Sequence, residues 1–343
     1  RLQLKMNDMK TINFSIILFS TIIILYFGKF FLLPLFLALF FYIILNSISK
    51  DLINFSKKYL FKINEALSFF FIFLSSLIFA YFLFQLFKIN IVSIIENSQQ
   101  YQKNLNFFID LISQHIVLDS FIPGSLLEKV NLINLFSNLL SFIRSFAGNF
   151  SLVLIYLIFI VIEEKFFRIK LNLVLNNEKK KKIFTKINND IYNYFRIKTF
   201  TSLLTALFTF TILFFLGNEL SITFSIFAFF LNFIPYIGSL LAVLLPSIFA
   251  TIQFMDFFIP MLTFILLLTS QILLGNFLET KLMGKTLNIS PIVLIIFLSL
   301  MGKLWGLVGM FLSVPLLVIL IIILNNFKDT KKIAIFLTEK GID

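Results

Sequence analysis

Two hydrophobic stretches of this chain are too long for one membrane helix and too interrupted for a plain pair. Residues 221–254 and 291–324 each run for more than 30 residues with almost no charge. About 20 such residues already span a hydrocarbon core of about 30 Å. Each stretch has a Gly-containing break near its middle, "FIPYIG" in the first and "MGKLWGLVG" in the second, and each has a Pro in its second arm, Pro246 and Pro315. Pro removes a backbone donor and Gly admits turn geometry. Inside hydrocarbon, such breaks survive only where protein or a watered cavity satisfies the freed peptide groups. These two segments therefore constrain the fold more than any other feature.

The rest of the chain is equally apolar. Hydrophobic residues make up 59% of the 343, with a mean hydropathy of +0.99, against about 45–50% in a soluble domain. Further apolar runs fall at roughly 13–27, 30–49, 66–87, 147–162, 199–216 and 257–275. This pattern predicts an all-α polytopic membrane bundle of about eight membrane segments, two of them Gly/Pro-broken or re-entrant hairpins. Gly28 and Lys29 alone join the first two runs, which predicts a tight hairpin there. The 50 Phe, with abundant Ile, Lys and Asn, read as the codon bias of an AT-rich genome rather than as an aromatic ligand path.

There is no Cys, and His115 is the sole histidine, so the sequence predicts no thiolate or histidine-cluster metal site and no cofactor. The net charge of +12 is expected in loops at the cytoplasmic face rather than on nucleic acid. The opening "RLQLKMNDMK" is too charged and too short for a signal peptide, and Arg1 suggests a start at Met6, Met9 or further upstream.

Loop charge predicts orientation. Residues 50–65 hold four Lys and two acids, residues 163–198 hold ten Lys/Arg and four acids, and residues 88–148 hold four of each sign. The positive-inside rule places the first two in the cytoplasm, the third outside and both termini inside. The expected parts are N-terminal membrane helices (1–87), an extracytoplasmic amphipathic helical region (88–148), a permease core (149–324) with a basic cytoplasmic loop (163–198), and a cytoplasmic tail (325–343). In 88–148, Leu105, Phe108, Ile109 and Ile112 recur at helical spacing and Pro123-Gly124 marks a turn, which predicts two or three amphipathic helices lying on the membrane or capping the protein. Ile183, Ile187, Ile191 and Phe195 predict an interfacial helix before the fifth span.

Two interrupted segments in corresponding positions are the best sequence pointer to a transporter's binding site. By this topology the first break enters from outside and the second from inside. Two tightly turned pairs of spanning helices would produce the same loop charges. Lys303, in the second break, distinguishes them: it snorkels at the surface if the segment crosses twice and lies within the membrane if the segment is re-entrant.

The words "NFIPYIG" (232–238), "NFLETKLMGKTLNISPIV" (276–293) and "WGLVGMFLSVPL" (305–316), in this order and spacing, resemble the autoinducer-2 exporter family of bacterial membrane permeases. The likeness is strongest over about 190–324. It implies a multi-pass bundle in the bacterial cytoplasmic (inner) membrane, homo-oligomeric, linked in some members to export of autoinducer-2 and in others to sodium/proton antiport. Carried onto this chain, the motif positions are Pro235, Gly238, Asn276, Glu279, Gly284, Pro291, Gly306, Gly309 and Pro315. Thr280 stands where the family often has Pro, and Met301 and Lys303 flank Gly302 where aromatics are usual.

The residues also bear on mechanism. "MGKT" (283–286) lacks the Gly of a phosphate-binding loop, because that position is Glu279. Ser239, Ser290 and Ser313 have no adjacent base, so an enzyme is not expected. No Asp or Glu lies inside the apolar runs as bounded above. That favours a secondary or facilitative exporter of a small organic molecule, with Asn232, Gln253, Gln271 and Asn276 as neutral hydrogen-bonding groups. The alternatives are a sodium/proton antiporter and a non-transporting scaffold that binds a partner through 88–148. Glu279 is the expected coupling group, and otherwise a partner for Lys281 or Lys285.

Overall fold

The computed structural model describes residues 16, 19–58, 64–115, 150–164, 166–167, 169–170, 178–283, 288–326, 330–339 and 341. No strand occurs among them, and six helices are long and apolar enough to cross a membrane. The chain is thus an all-α polytopic membrane protein. In order, α1 (19–27) and α2 (Lys29–Lys58) precede α3 (Glu65–His115), and α4 (150–164) precedes α5 (Glu178–Phe215). Then come α6 (Ser221–Leu231), α7 (Ile237–Phe254), α8 (Phe258–Met283), α9 (Pro291–Asn326) and α10 (Lys331–Leu337). Residues 1–44, 149–192 and 285–343 form one compact unit; 45–148 and 193–284 form the other.

Several helices outrun their apolar segments. α3 continues unbroken from the membrane-length stretch Glu65–Leu86 to His115. The region from 88 to 115 therefore extends a spanning helix instead of forming a separate surface helix, while 116–149, with Pro123-Gly124, lies outside the described residues. Likewise α5 runs through 183–198 into the fifth span, and no separate interfacial helix precedes it. A helix ends where its backbone loses partners, not where its side chains turn polar, and neither stretch contains a Gly or Pro to stop it. Gly28 alone separates α1 from α2, with its N–H bonded to the Ile24 carbonyl and its carbonyl accepting from Phe31 and Leu32.

In the unit of 45–148 and 193–284, the first broken stretch is a closed helical hairpin. At its base the Gln253 amide donates to the Gly217 carbonyl (2.9 Å) and accepts from the Glu219 N–H (3.2 Å). At its tip a Cβ on Gly238 would stand 1.7 Å from the Leu231 carbonyl oxygen, so only Gly permits this approach. The connector 232–236 ends on Tyr236 with φ of 60°, a strained value for a residue with a side chain. The arms, of 11 and 18 residues, are roughly 16 and 27 Å long at about 1.5 Å per residue. The first arm falls short of the hydrocarbon core, whereas the second is one of the six helices long enough to cross it. α7 packs on α8, and α3 packs on both arms. Tyr101, Leu213, Leu220, Phe224, Val243, Phe249, Ile252 and Leu267 form the buried cluster near the base.

In the other unit, α9 is two helices folded back on each other. Gly306, at φ 64° and ψ −147°, makes the reversal. A Cβ on Gly309 would stand 2.1 Å from the Met301 carbonyl oxygen, a proximity no straight helix allows across eight residues. The Trp305 indole N–H donates to the Leu25 carbonyl at 2.8 Å, and the Phe36 ring lies 5.5 Å from the Trp305 ring. At the base, α10 packs on α9 and the Ser290 N–H bonds the Leu337 carbonyl at 3.0 Å.

Candidate functional site

The candidate site grows from the buried face of α5. Along this helix Phe200, Leu203, Leu207, Phe208 and Phe214 are exposed, while Lys198, Thr201, Ser202, Thr205 and Thr209 are buried. The pattern is inverted relative to a soluble protein, and it suits a helix with lipid on one side and a polar interior on the other. At one level of this stripe, the buried Asn232 amide from the tip of the first hairpin donates to Ser202 Oγ at 3.0 Å. One turn further from the hairpin base, Lys198 Nζ meets Glu279 Oε1 at 2.5 Å. The two side chains are 8% and 14% exposed, so the pair is almost wholly withdrawn from solvent. Thr201 Oγ1 sits 3.2 Å from the other carboxylate oxygen and 3.1 Å from the Lys198 carbonyl.

The local structure around Glu279 is unusual. From Ile272 to Glu279, α8 is wound as a π-helix, eight residues long. Such windings normally appear as single turns, often at functional positions. The π segment carries the helix past residue 275, where the apolar run stops, to Met283. Glu279, outside the apolar run 257–275, therefore belongs to the same membrane-length helix as that run. Its partner is corrected: Lys198 pairs with it, while Lys281 lies over the Phe277 ring at 5.9 Å and Lys285 falls outside the described residues.

A second polar cluster lies at the hairpin base. Tyr101 donates its hydroxyl to Glu219, and Asn104 Nδ2 donates to the Ile252 carbonyl at 2.8 Å. Burial pushes the Tyr101 hydroxyl above its ordinary pKa, and the hydrogen bond to Glu219 raises it further.

The motif residues divide between the two units. Asn232 is buried at the first tip, Pro235 and Gly238 shape that tip, and Pro246 is buried inside α7. Asn276 is exposed within the π segment. Pro291 opens α9, Lys303 is exposed near the second tip, Gly306 and Gly309 form it, and Pro315 is buried in the second arm. Gly284 lies outside the described residues. Lys198, Thr201 and Ser202 escaped the sequence reading. The signal was present as one Lys at the edge of an apolar run, with hydroxyls 3, 4, 7 and 11 residues later.

The profile of AI-2E family transporters matches residues 14–329. The chain belongs to this family. Similar proteins include one of Borreliella burgdorferi named only as a candidate transport protein, 37% identical over 203 residues, covering 57% of this chain and 55% of the relative. The AI-2 transport protein TqsA of Escherichia coli K12 is 34% identical over 151 residues, 44% of each chain. A Haemophilus influenzae relative, also named as a candidate transport protein, is 30% identical over 233 residues, 66% of this chain and 65% of its own. The chain thus spans less than two thirds of the length of each of these curated relatives. The matched range contains all three sequence words that carry the resemblance.

Proposed function

We propose that this chain is a permease that exports a small polar organic molecule across the bacterial cytoplasmic membrane, by a secondary or facilitative mechanism. The observation that carries this reading is the first hairpin. Its tip brings a buried amide, Asn232, onto Ser202 within a membrane-length helix. Nearby elements add buried polar atoms with no partner among the described residues, Gln271 Nε2 on α8 and Thr223 Oγ1 on α6. Hydrogen-bonding capacity left open in a membrane protein interior suits a neutral polar solute that completes it. Autoinducer-2, after the printed name of the Escherichia coli relative, belongs in the solute panel. Both termini are assigned to the cytoplasm by loop charge, and a homo-oligomer is expected from the family likeness.

The test is flux of labelled polar solutes through proteoliposomes of the full chain. We expect protein-dependent flux of at least one solute, lost in Asn232→Leu and Pro235→Ala variants that still fold. Silence across the panel, with an extracytoplasmic partner captured through 88–148, would instead support a scaffold. Cation exchange without solute flux would support an antiporter.

A further inference from the structure

The segment after α9 covers the feet of the second hairpin. It is tied first to the second arm, where the Thr330 hydroxyl donates to the Leu324 carbonyl at 2.7 Å. α10 follows and packs on α9, with Ala334 fully buried. Beyond Ala334 the chain reaches the start of the first arm. The Leu337 carbonyl accepts from the Ser290 N–H at 3.0 Å, and the Gly341 carbonyl accepts from Asn288 Nδ2 at 2.5 Å. α10 is thus a strap fastened at both ends across the base, with one face fixed inward.

Its outward face is the wrong one for water. At about 100° per residue, Ala334 and Leu337 share the inner side, while Lys332 and Phe336 stand opposite, flanked by Ile333 and Ile335. Phe336 is 83% exposed, and both isoleucines are exposed too. A helix against water turns its polar side chains outward and its apolar ones toward the core. Two observations identify what covers this face. First, α10 starts just after α9 ends at Asn326, and α9 is the most apolar membrane-length helix, so the strap lies at the depth of the lipid headgroups. Second, the charged side chains of α10 are Lys331 and Lys332, with no acid beside them in the helix, and both are exposed. Basic helices with aromatic and aliphatic side chains on the outer face lie in the plane of the membrane interface. Lysine stems there run along apolar groups and deliver the ammonium to the headgroups.

We propose that α10 is a lipid-reading strap: its outer face, Lys332 and Phe336 with Lys331, Ile333 and Ile335 beside them, docks on anionic phospholipid and thereby steadies the base of the second hairpin. The ring and the isoleucines enter the acyl boundary, and the ammoniums meet headgroup phosphates that carry net negative charge. The partner is the bilayer that already surrounds α9 rather than a soluble anion, because the face that carries the lysines is otherwise apolar. The inference is independent of which solute the chain moves.

The experiment uses the full chain in vesicles of phosphatidylcholine, alone or mixed with phosphatidylglycerol. The chain has no Cys, so Ile335→Cys provides a single thiol for a fluorophore beside Phe336. Nitroxide-labelled lipid should quench this label, and more strongly with phosphatidylglycerol present. That increment should vanish in 1 M salt, where the screening length is about 3 Å. Neutralising one lysine should lower the ratio of lipid-bound to free strap by about fivefold, and Lys331→Gln/Lys332→Gln should erase the dependence on phosphatidylglycerol. Phe336→Ser should weaken quenching in both lipids. The unfolding temperature should rise with phosphatidylglycerol in the wild type and stay level in the variant lacking both lysines, with circular dichroism as the check on each fold. Ile333→Cys, on the other flank of Phe336, repeats the measurement if the first label disturbs packing. A label quenched by aqueous iodide and untouched by nitroxide lipid overturns the proposal. So does equal quenching in the two lipids, which leaves an apolar foot blind to headgroup charge. Loss of the phosphatidylglycerol effect on adding inorganic phosphate at constant ionic strength assigns the lysines to a soluble anion and overturns it as well. A label shielded from iodide and lipid alike, and cross-linking to its counterpart in another copy, makes this face a subunit contact instead.

Discussion

The two helical hairpins solve the same problem with different chemistry. In both, a glycine on the second arm lets the backbone approach a carbonyl of the first: Gly238 against Leu231, Gly309 against Met301. Their tips diverge. The first has a five-residue connector, a strained Tyr236, and an amide bonded to a hydroxyl on α5. The second turns on Gly306 alone and is held by an indole N–H among aromatic rings. An apolar tip with one satisfied hydrogen bond is a fixture. A tip set among amides, hydroxyls and an ion pair holds alternatives of similar energy, because each polar group can exchange one partner for another. The first hairpin's tip thus sits among polar groups, and the second is anchored through Trp305.

The largest expected effect separates charge from packing. Glu279→Gln leaves Lys198 buried and unpaired and should destabilise the protein by about 3–5 kcal/mol, whereas the Lys198→Gln/Glu279→Gln double variant should recover most of that loss. Thermal unfolding in detergent measures both, and equal losses would remove the distinction. Next come Gly238→Ala and Gly309→Ala. Each new methyl meets a backbone carbonyl inside contact distance, so each should cost about 1–3 kcal/mol or more, while Gly275→Ala, in open space, should be neutral or stabilising. If the hairpins differ as argued, Gly309→Ala lowers stability and flux together. Trp305→Phe should cost about 1 kcal/mol through the lost bond to Leu25, with solute flux unchanged. Lost flux in that variant would blur the contrast between the tips.

The smallest effects concern strain and the base. Tyr236→Gly relieves a positive φ and should be neutral to stabilising by about 1 kcal/mol. At the base, the Tyr101 pKa is raised in the folded state, so its contribution is complete below the ordinary tyrosine value of about 10 and is lost as pH rises beyond it. Tyr101→Phe should cost about 1 kcal/mol at neutral pH and abolish that alkaline loss. Stability scans across pH would show both.

Much of this fold was legible because Gly and Pro are scarce, 11 and 7 in 343 residues. Where they gathered, at 235–246 and 302–315, the chain does turn. The course of α3 and α5 was hidden, since hydropathy marks where lipid ends and not where a helix does. The ion pair was hidden for a different reason. Its members stand 81 residues apart, each near the edge of an apolar run, and the helix that bears Glu279 continues past its run through a π-wound segment. Spacing along a sequence reports neighbours within a helix and is silent about partners between helices.

Trp305 is the only tryptophan in the chain, and it sits beside Gly306 with its indole nitrogen bonded to Leu25. The tryptophan emission of the unlabelled protein therefore originates from a single known point, the anchored turn. Ultraviolet excitation alone can follow whether that turn holds still while solutes bind elsewhere, with no dye attached and no residue replaced.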